Sequence, residues 1–247
     1  MSAVDDLCRS YLDLRWYFDP AAASVAGLET YDGKLGRFDE ESVRQHLAAL
    51  RALWSAAEEL EVEDLPDEID RTALLDEMRV RSFELTREAP HRRNPAFWLS
   101  HIFEGCYAVL VRGGGAGVAS RAAQVLERLQ DIPAFLTAAK ETLKSPAIQF
   151  VDVGLGMLGG GGELLVALGE RAGEAAPALQ TELAEATAKA LVALRDFGKA
   201  LGDSIAPDPD PVAFAVGEEQ FSRRLRYEHA LLAGYMEIGR ASCRERV

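Results

Sequence analysis

The chain is poor in the residues that usually carry metal or covalent chemistry. It has three cysteines in 247 residues, Cys8, Cys106 and Cys243. Their wide spacing gives neither a disulfide framework nor a Cys-x-x-Cys knuckle, so they read as buried or incidental thiols. The four histidines form no His-Glu-x-x-His or His-x-x-Glu-His run. No Gly-x-Ser-x-Gly elbow marks a nucleophile beside its base. No run of eighteen apolar residues occurs, which predicts that nothing spans a membrane. The N-terminus from Met1 to Asp6 is acidic and has no basic stretch leading into an apolar one. A secretory signal is therefore not expected, and the cytoplasm is the expected location. Cationic residues are in deficit too: 27 Lys and Arg face 40 Asp and Glu, a formal net charge of −13. Nucleic-acid backbones and anionic membranes would be repelled, so neither is expected as a partner.

What is present is a soluble globular mixture, 48% apolar and 27% charged, long enough for one large domain or two small ones. The apolar spacing is helical almost throughout. Leu7, Tyr11, Leu14 and Phe18 mark a first helix closed by Asp19-Pro20. Leu47, Leu50, Trp54 and Ala57 mark a second, introduced by the acidic run Asp39 to Ser42. Leu74, Met78 and Leu85 share a face of a third, ended by Ala89-Pro90. A fourth runs from Asn94-Pro95 through Trp98, Ile102 and Cys106 towards Leu110.

The fifth carries Ala122, Val125, Leu129, Ile132, Leu136, Ala139 and Leu143, with Pro133 placed to restart or kink it. A glycine-rich sixth segment, from Pro146 to about Glu174, is ambiguous, and Gln149 to Val153 is the best strand candidate in the chain. The seventh holds the spacing from Leu179 to Leu201. Pro207 to Pro211 reads as a stiff extended connector to an eighth helix starting near Glu218, with an apolar stripe of Phe221, Leu225, Leu232 and Tyr235. No internal repeat of 30–45 residues stands out. The expected fold is all-α, about eight helices in an irregular bundle.

Several motifs invite a chemical reading. Gly154, Gly156 and Gly159 form a Gly-x-Gly-x-x-Gly, which after a strand would bring backbone close to a pyrophosphate at a helix N-terminus. Its flanks are helical and no second strand ends in an acid, so the run reads as a mid-segment break that permits close helix packing. Gly113 to Gly117 lacks the third glycine and reads as a helix–helix connection. Neither glycine stretch carries the Lys-Ser/Thr pair of a P-loop. His101 and Glu104 would share one helix face, but two ligands do not make a di-metal bundle. His46, His91 and His229 stand alone and read as surface or satisfied core histidines. Glu58, Glu59, Glu61, Glu63 and Asp64 read as a solvated helix end. No catalytic, cofactor-binding or metal residue is assigned.

The last residues look foreign. From Ile238 to Val247 the chain is what the adapter sequence ATC GGA AGA GCG TCG TGT AGG GAA AGA GTG encodes, and Glu237 fits the bases before it. This divides the chain into a helical region, 1–236, and a non-native tail, 237–247. The tail adds three Arg and removes Cys243 from the native count. It implies that the reading frame continues differently after Met236.

The order of short motifs resembles a known family. Tyr11 to Trp16, Asp19-Pro20, Ala23 to Gly27, Tyr31-Asp32 and Asp39 to Ser42 resemble its opening. Asn94-Pro95, Arg128-Leu129 with Ile132-Pro133 and Leu136, Leu143 with Ser145-Pro146, and Gly217-Glu218 with Phe221 and Leu225 follow in order. The family is the bacterial domain of unknown function 885, and the resemblance covers nearly all of residues 5–236. Ser24 stands where the family often has Thr, and Gly36 to Asp39 replaces a more usual Pro-Asp. The resemblance implies a mostly helical, zinc-metallopeptidase-like protein about twice this length, with a His-Glu-x-x-His helix in its second half.

On that implication the chain is the front half of a larger helical zincin-like fold. It would be an inactive N-terminal fragment of a zinc-dependent peptidase or hydrolase. It would contain no cofactor itself, with zinc expected in the full-length parent. Its expected partners are the missing C-terminal half and, in the parent, a peptide substrate. The alternative is a stand-alone helical interaction module without catalysis.

Overall fold

The structure is a computed structural model describing residues 2–111 and 117–231. The stretch at 112–116, and with it most of the Gly113 to Gly117 connection, lies outside these residues. So do Leu232, Tyr235, Cys243 and the whole 237–247 tail.

Local signals set the helix starts. Helix α1 (Ala3–Phe18) begins on a reciprocal box in which Ser2 and Asp5 satisfy each other's backbone N–H. Asp19 ends it and caps the short α2 (Pro20–Val25), its carboxylate accepting from Ala22 N–H. Asp39 caps α3 (Glu40–Glu59) and Asp64 caps α4 (Leu65–Phe83) in the same way. A wider turn at Glu84–Glu88 follows, closed by Ala89 in the left-handed region. Then come α5 (Pro90–Arg93), α6 (Pro95–Val111), α7 (Val118–Thr142), α8 (Ile148–Ala175), α9 (Gln180–Asp203) and α10 (Glu218–Tyr227).

The described residues contain no strand, so the all-α expectation holds. The helices exceed eight because α2 and α5 are too short to show an apolar period. They form two layers. In one, α6, α7, α8 and α9 share a core that includes Trp98, Ile102, Leu129, Phe135, Leu165 and Phe197. In the other, α1, α3 and α4 close over Tyr11, Leu50, Ala57, Leu74 and Met78.

Three expectations change. Gln149 to Val153 is not a strand, and the glycines after it do not break the chain: both lie inside the 28-residue α8. The helical period was hard to read because two of its buried positions are Gly154 and Gly161. These take the Pro95 ring and the Phe103 ring where a larger side chain would stand. Pro133 does not restart α7, which runs through it from Val118 to Thr142. The third helix stops at Phe83, so Leu85 lies in the wide turn rather than on the helix.

The proline-rich connector after α9 is strapped to the bundle. Asp208 N–H donates to Pro146 C=O (2.8 Å), Gln149 Nε2 to Pro211 C=O (2.9 Å) and an Arg93 nitrogen to Ala213 C=O (2.9 Å). It delivers α10 to the wide turn after α4. There Arg224 forks onto Glu88, with Glu84 and Glu228 in reach.

Candidate functional site

The segment 32–39 is drawn inward by Leu35 and Phe38, both buried in the α6–α9 core. Two glycines let it lie close. Gly36 has φ +97°, a conformation that L side chains avoid, and sits against the Phe18 carbonyl. Gly33 lies so close to the Glu127 carboxylate of α7 that a Cβ would collide with it. The Arg37 guanidinium then pairs with both Asp131 oxygens at 2.9 Å, pinning the segment to α7. Between this segment, the end of α1, the start of α3 and α7 opens a cleft of about 800 Å³.

The cleft has an aromatic wall and a mixed-charge rim. Tyr17 is exposed, with the Lys34 ammonium 5.8 Å from its ring centroid. Beneath, the His46 ring stacks on Phe18 at 4.0 Å, 16° from parallel. His46 is buried and its Nδ1 has no hydrogen-bond partner. Burial, with the positive Arg81 nearby, pushes its pKa down to about 4, so the imidazole is neutral at pH 7. This arrangement offers a polar organic molecule an aromatic face, a cation, carboxylates and a neutral imidazole.

Behind the cleft lies a partly buried pair. His101 Nε2 stands 3.3 Å from Asp19 Oδ1, and its Nδ1 lies 2.6 Å from the Phe97 carbonyl. Burial opposes the charged imidazolium, but the Asp19 carboxylate and the Phe97 carbonyl outweigh it and raise the His101 pKa. Burial likewise opposes the Asp19 carboxylate, and the hydrogen bond from His101 outweighs it and lowers that pKa. The pair ties α6 to the α1–α2 junction. Phe38, with its ring 4.7 Å from His101, shields it.

The residues singled out in the sequence do not converge. His101 turns to Asp19 rather than to a shared ligand with Glu104, which is exposed. His91 is buried on α5, its backbone carbonyl accepting from Trp98 Nε1 (2.8 Å), and burial pushes its pKa down to about 4. His229 is exposed near the end of the described residues. Cys106 is buried in the core with its pKa raised to about 11, and Cys8 is partly buried. Glu58 to Asp64 are exposed at the α3–α4 junction, with Asp64 spent as a cap.

Gly154 to Gly159 lie mid-helix, with helix on both sides, which removes the dinucleotide reading. Among the described residues no three His, Cys, Asp or Glu side chains gather as a metal site requires.

Sequence reasoning missed the cleft and the Asp19–His101 pair, since their partners lie 82 positions apart. It also missed Arg128, fully buried on α7. One of its nitrogens donates to Ser24 Oγ (2.6 Å), and Ser24 in turn donates to Asp32 (2.7 Å). The only advance signal was Arg128 itself, a charge on the apolar face of its helix.

Fold and site together define an all-α protein of two packed helical layers with an open cleft at their junction. The chain belongs to the family described as bacterial protein of unknown function DUF885, whose profile matches residues 20–242. A solved structure from Shewanella oneidensis, described as a lipoprotein of unknown function, superposes with a TM-score of 0.83 at 16% identity. The match covers 99% of this chain and 46% of that one, so the chain spans less than half of its structural relative. No curated protein sequence matches the chain significantly.

Proposed function

We propose that this chain is the N-terminal helical half of a zinc-dependent peptidase or hydrolase, inactive by itself, whose metal ligands lie in a second half. The observation that supports the reading best is coverage: nearly all of this chain matches only 46% of a solved relative. Family membership across 20–242 supports the same frame. On this reading the helices wall a peptide-binding cleft and contribute no ligand to the zinc. In the whole protein the zinc would polarise the scissile carbonyl and activate water. The reading also has the protein work in the cytoplasm, without nucleic acid or membrane as partner.

The test is to read the gene beyond codon 236, express the extended protein, and measure bound zinc and peptide hydrolysis beside the 247-residue chain. The expected result is a His-Glu-x-x-His helix downstream, with zinc and hydrolysis in the extended protein alone. A gene that stops there, or continues without metal ligands, overturns the reading in favour of a helical interaction module. Hydrolysis by the 247-residue chain overturns its inactivity.

A further inference from the structure

One face of α8 has no partner among the described residues although its chemistry calls for one. Helix α8 is long and apolar enough, by length and composition, to cross a membrane, yet only 28% of its most apolar window is buried. Its buried side meets α6 and α9 through Val151, Leu165 and Leu168. Away from that side, over the first half of the helix, Ile148 and Leu155 are exposed on one flank and Val153 on the other. The strap after α9 extends this apolar surface: Gln149 is bonded to Pro211, and Val212 and Phe214 beside it are exposed as well.

Glycine placement on the helix points the same way. A mid-helix glycine costs about 0.5–1 kcal/mol relative to alanine. Gly154 and Gly161 have a reason within this chain, because a Cβ would press on Pro95 or collide with Phe103. Gly156, Gly159 and Gly160 have none, since a Cβ at each would meet nothing within 4 Å. All three lie on the exposed face between Leu155 and the acidic end of the helix, where Glu163, Glu170 and Glu174 return the surface to water. The same acids, with Asp152 among the apolar residues, disfavour a bilayer as the covering medium.

We infer that the exposed face of α8 from Ile148 to Gly160, with Val212 and Phe214, is the seat of the protein's second half. A helix from that half would pack closely over Gly156, Gly159 and Gly160. This rests on the proposed continuation of the chain. The solved relative extends for more than half of its length beyond the part this chain matches, and the strap residues Val212 and Phe214 widen the apolar surface available to it. The apolar residues supply burial, and the glycines let two backbones approach at the short end of the 8–10 Å range of helix packing.

The test is cysteine labelling in a Cys8→Ser background, with Cys243→Ser added in the 247-residue chain. Leu155→Cys and Gly159→Cys are compared with Ile69→Cys, an exposed position on α4 in the other layer. In the extended protein, maleimide should modify positions 155 and 159 at least tenfold more slowly than position 69. In the 247-residue chain all three should react alike. Gly159→Leu should restore labelling at position 155 of the extended protein without lowering the melting temperature of the 247-residue chain.

If the gene has no continuation, the functional reading falls and takes this inference with it. If the extended protein is made and positions 155 and 159 label as fast as 69, the inference falls alone. Protection already present in the 247-residue chain, with a dimer mass by light scattering, would assign the face to a second copy and overturn it. Protection of that chain only on phosphatidylglycerol vesicles would assign the face to a bilayer and overturn it.

Discussion

His46 and His91 are neutral residues in places where a proton is unwelcome. Both have folded pKa values near 4 against an ordinary 6.5. The unfolded chain therefore binds protons first as pH falls, and stability drops between about pH 7 and pH 4, then levels below the folded values. Each removes at most about 3.5 kcal/mol at the acid limit, at about 1.4 kcal/mol per pKa unit. Urea unfolding across that range should show the drop, and His46→Gln should remove about half of it.

The Asp19–His101 pair has the opposite logic. The contribution of His101 is full below its unfolded pKa and is lost as pH rises through its raised folded value. That of Asp19 is full above its unfolded pKa and is lost as pH falls through its lowered folded value. Asp19→Asn leaves a largely buried imidazole without its counter-charge and should cost about 1–3 kcal/mol. NMR titration of that variant should show His101 losing its proton at a lower pH, because burial is then opposed only by the Phe97 carbonyl and more distant charges.

Among the elements, α8 separates two kinds of glycine. Gly161→Ala should destabilise the chain by roughly 1–3 kcal/mol, because Phe103 must leave a packed position. Gly160→Ala, on the open side, should stabilise the isolated chain by about 0.5–1 kcal/mol through helix propensity alone. Denaturant melts of the two variants check the contrast in sign. Helix α10 is held differently, by charge and a little burial: only Leu225 is buried, while Arg224 reaches Glu88 and Glu84. Arg224→Ala should raise amide exchange across Glu218–Tyr227 by about tenfold and leave α6 to α9 unchanged.

For the molecule as a whole, the two layers differ in how deeply they are built. The α6–α9 layer buries Trp98, Phe135 and Phe197 completely or nearly so, whereas the α1–α3–α4 layer rests on a much smaller set around Tyr11 and Met78. Hydrogen exchange should find the slowest amides in α6 and α7 and an earlier opening of α3 and α4. The cleft lies at the junction of these layers, where Arg37 and Asp131 join the first part of the chain to α7. The solved relative extends for more than half of its length beyond the part this chain matches, and on the proposed continuation the open face of α8 receives the second half.

Much of the helical frame was legible because its signals are local. Asp39 before its acidic turn, Asp19-Pro20, Asn94-Pro95 and the 3–4 spacing of Leu183 to Leu201 act within a few residues, so sequence alone determines them. The order of these motifs also indicated the family. What tertiary structure decided depends on contacts across long separations. Helix α8 is continuous because Pro95 and Phe103 occupy the space its glycines leave, which no window of neighbouring residues could reveal. His101 is a largely buried partner of Asp19 rather than of Glu104 because the chain folds Asp19 against it. The cleft over His46 exists because Gly33 and Gly36 let a loop settle onto α1 and α7.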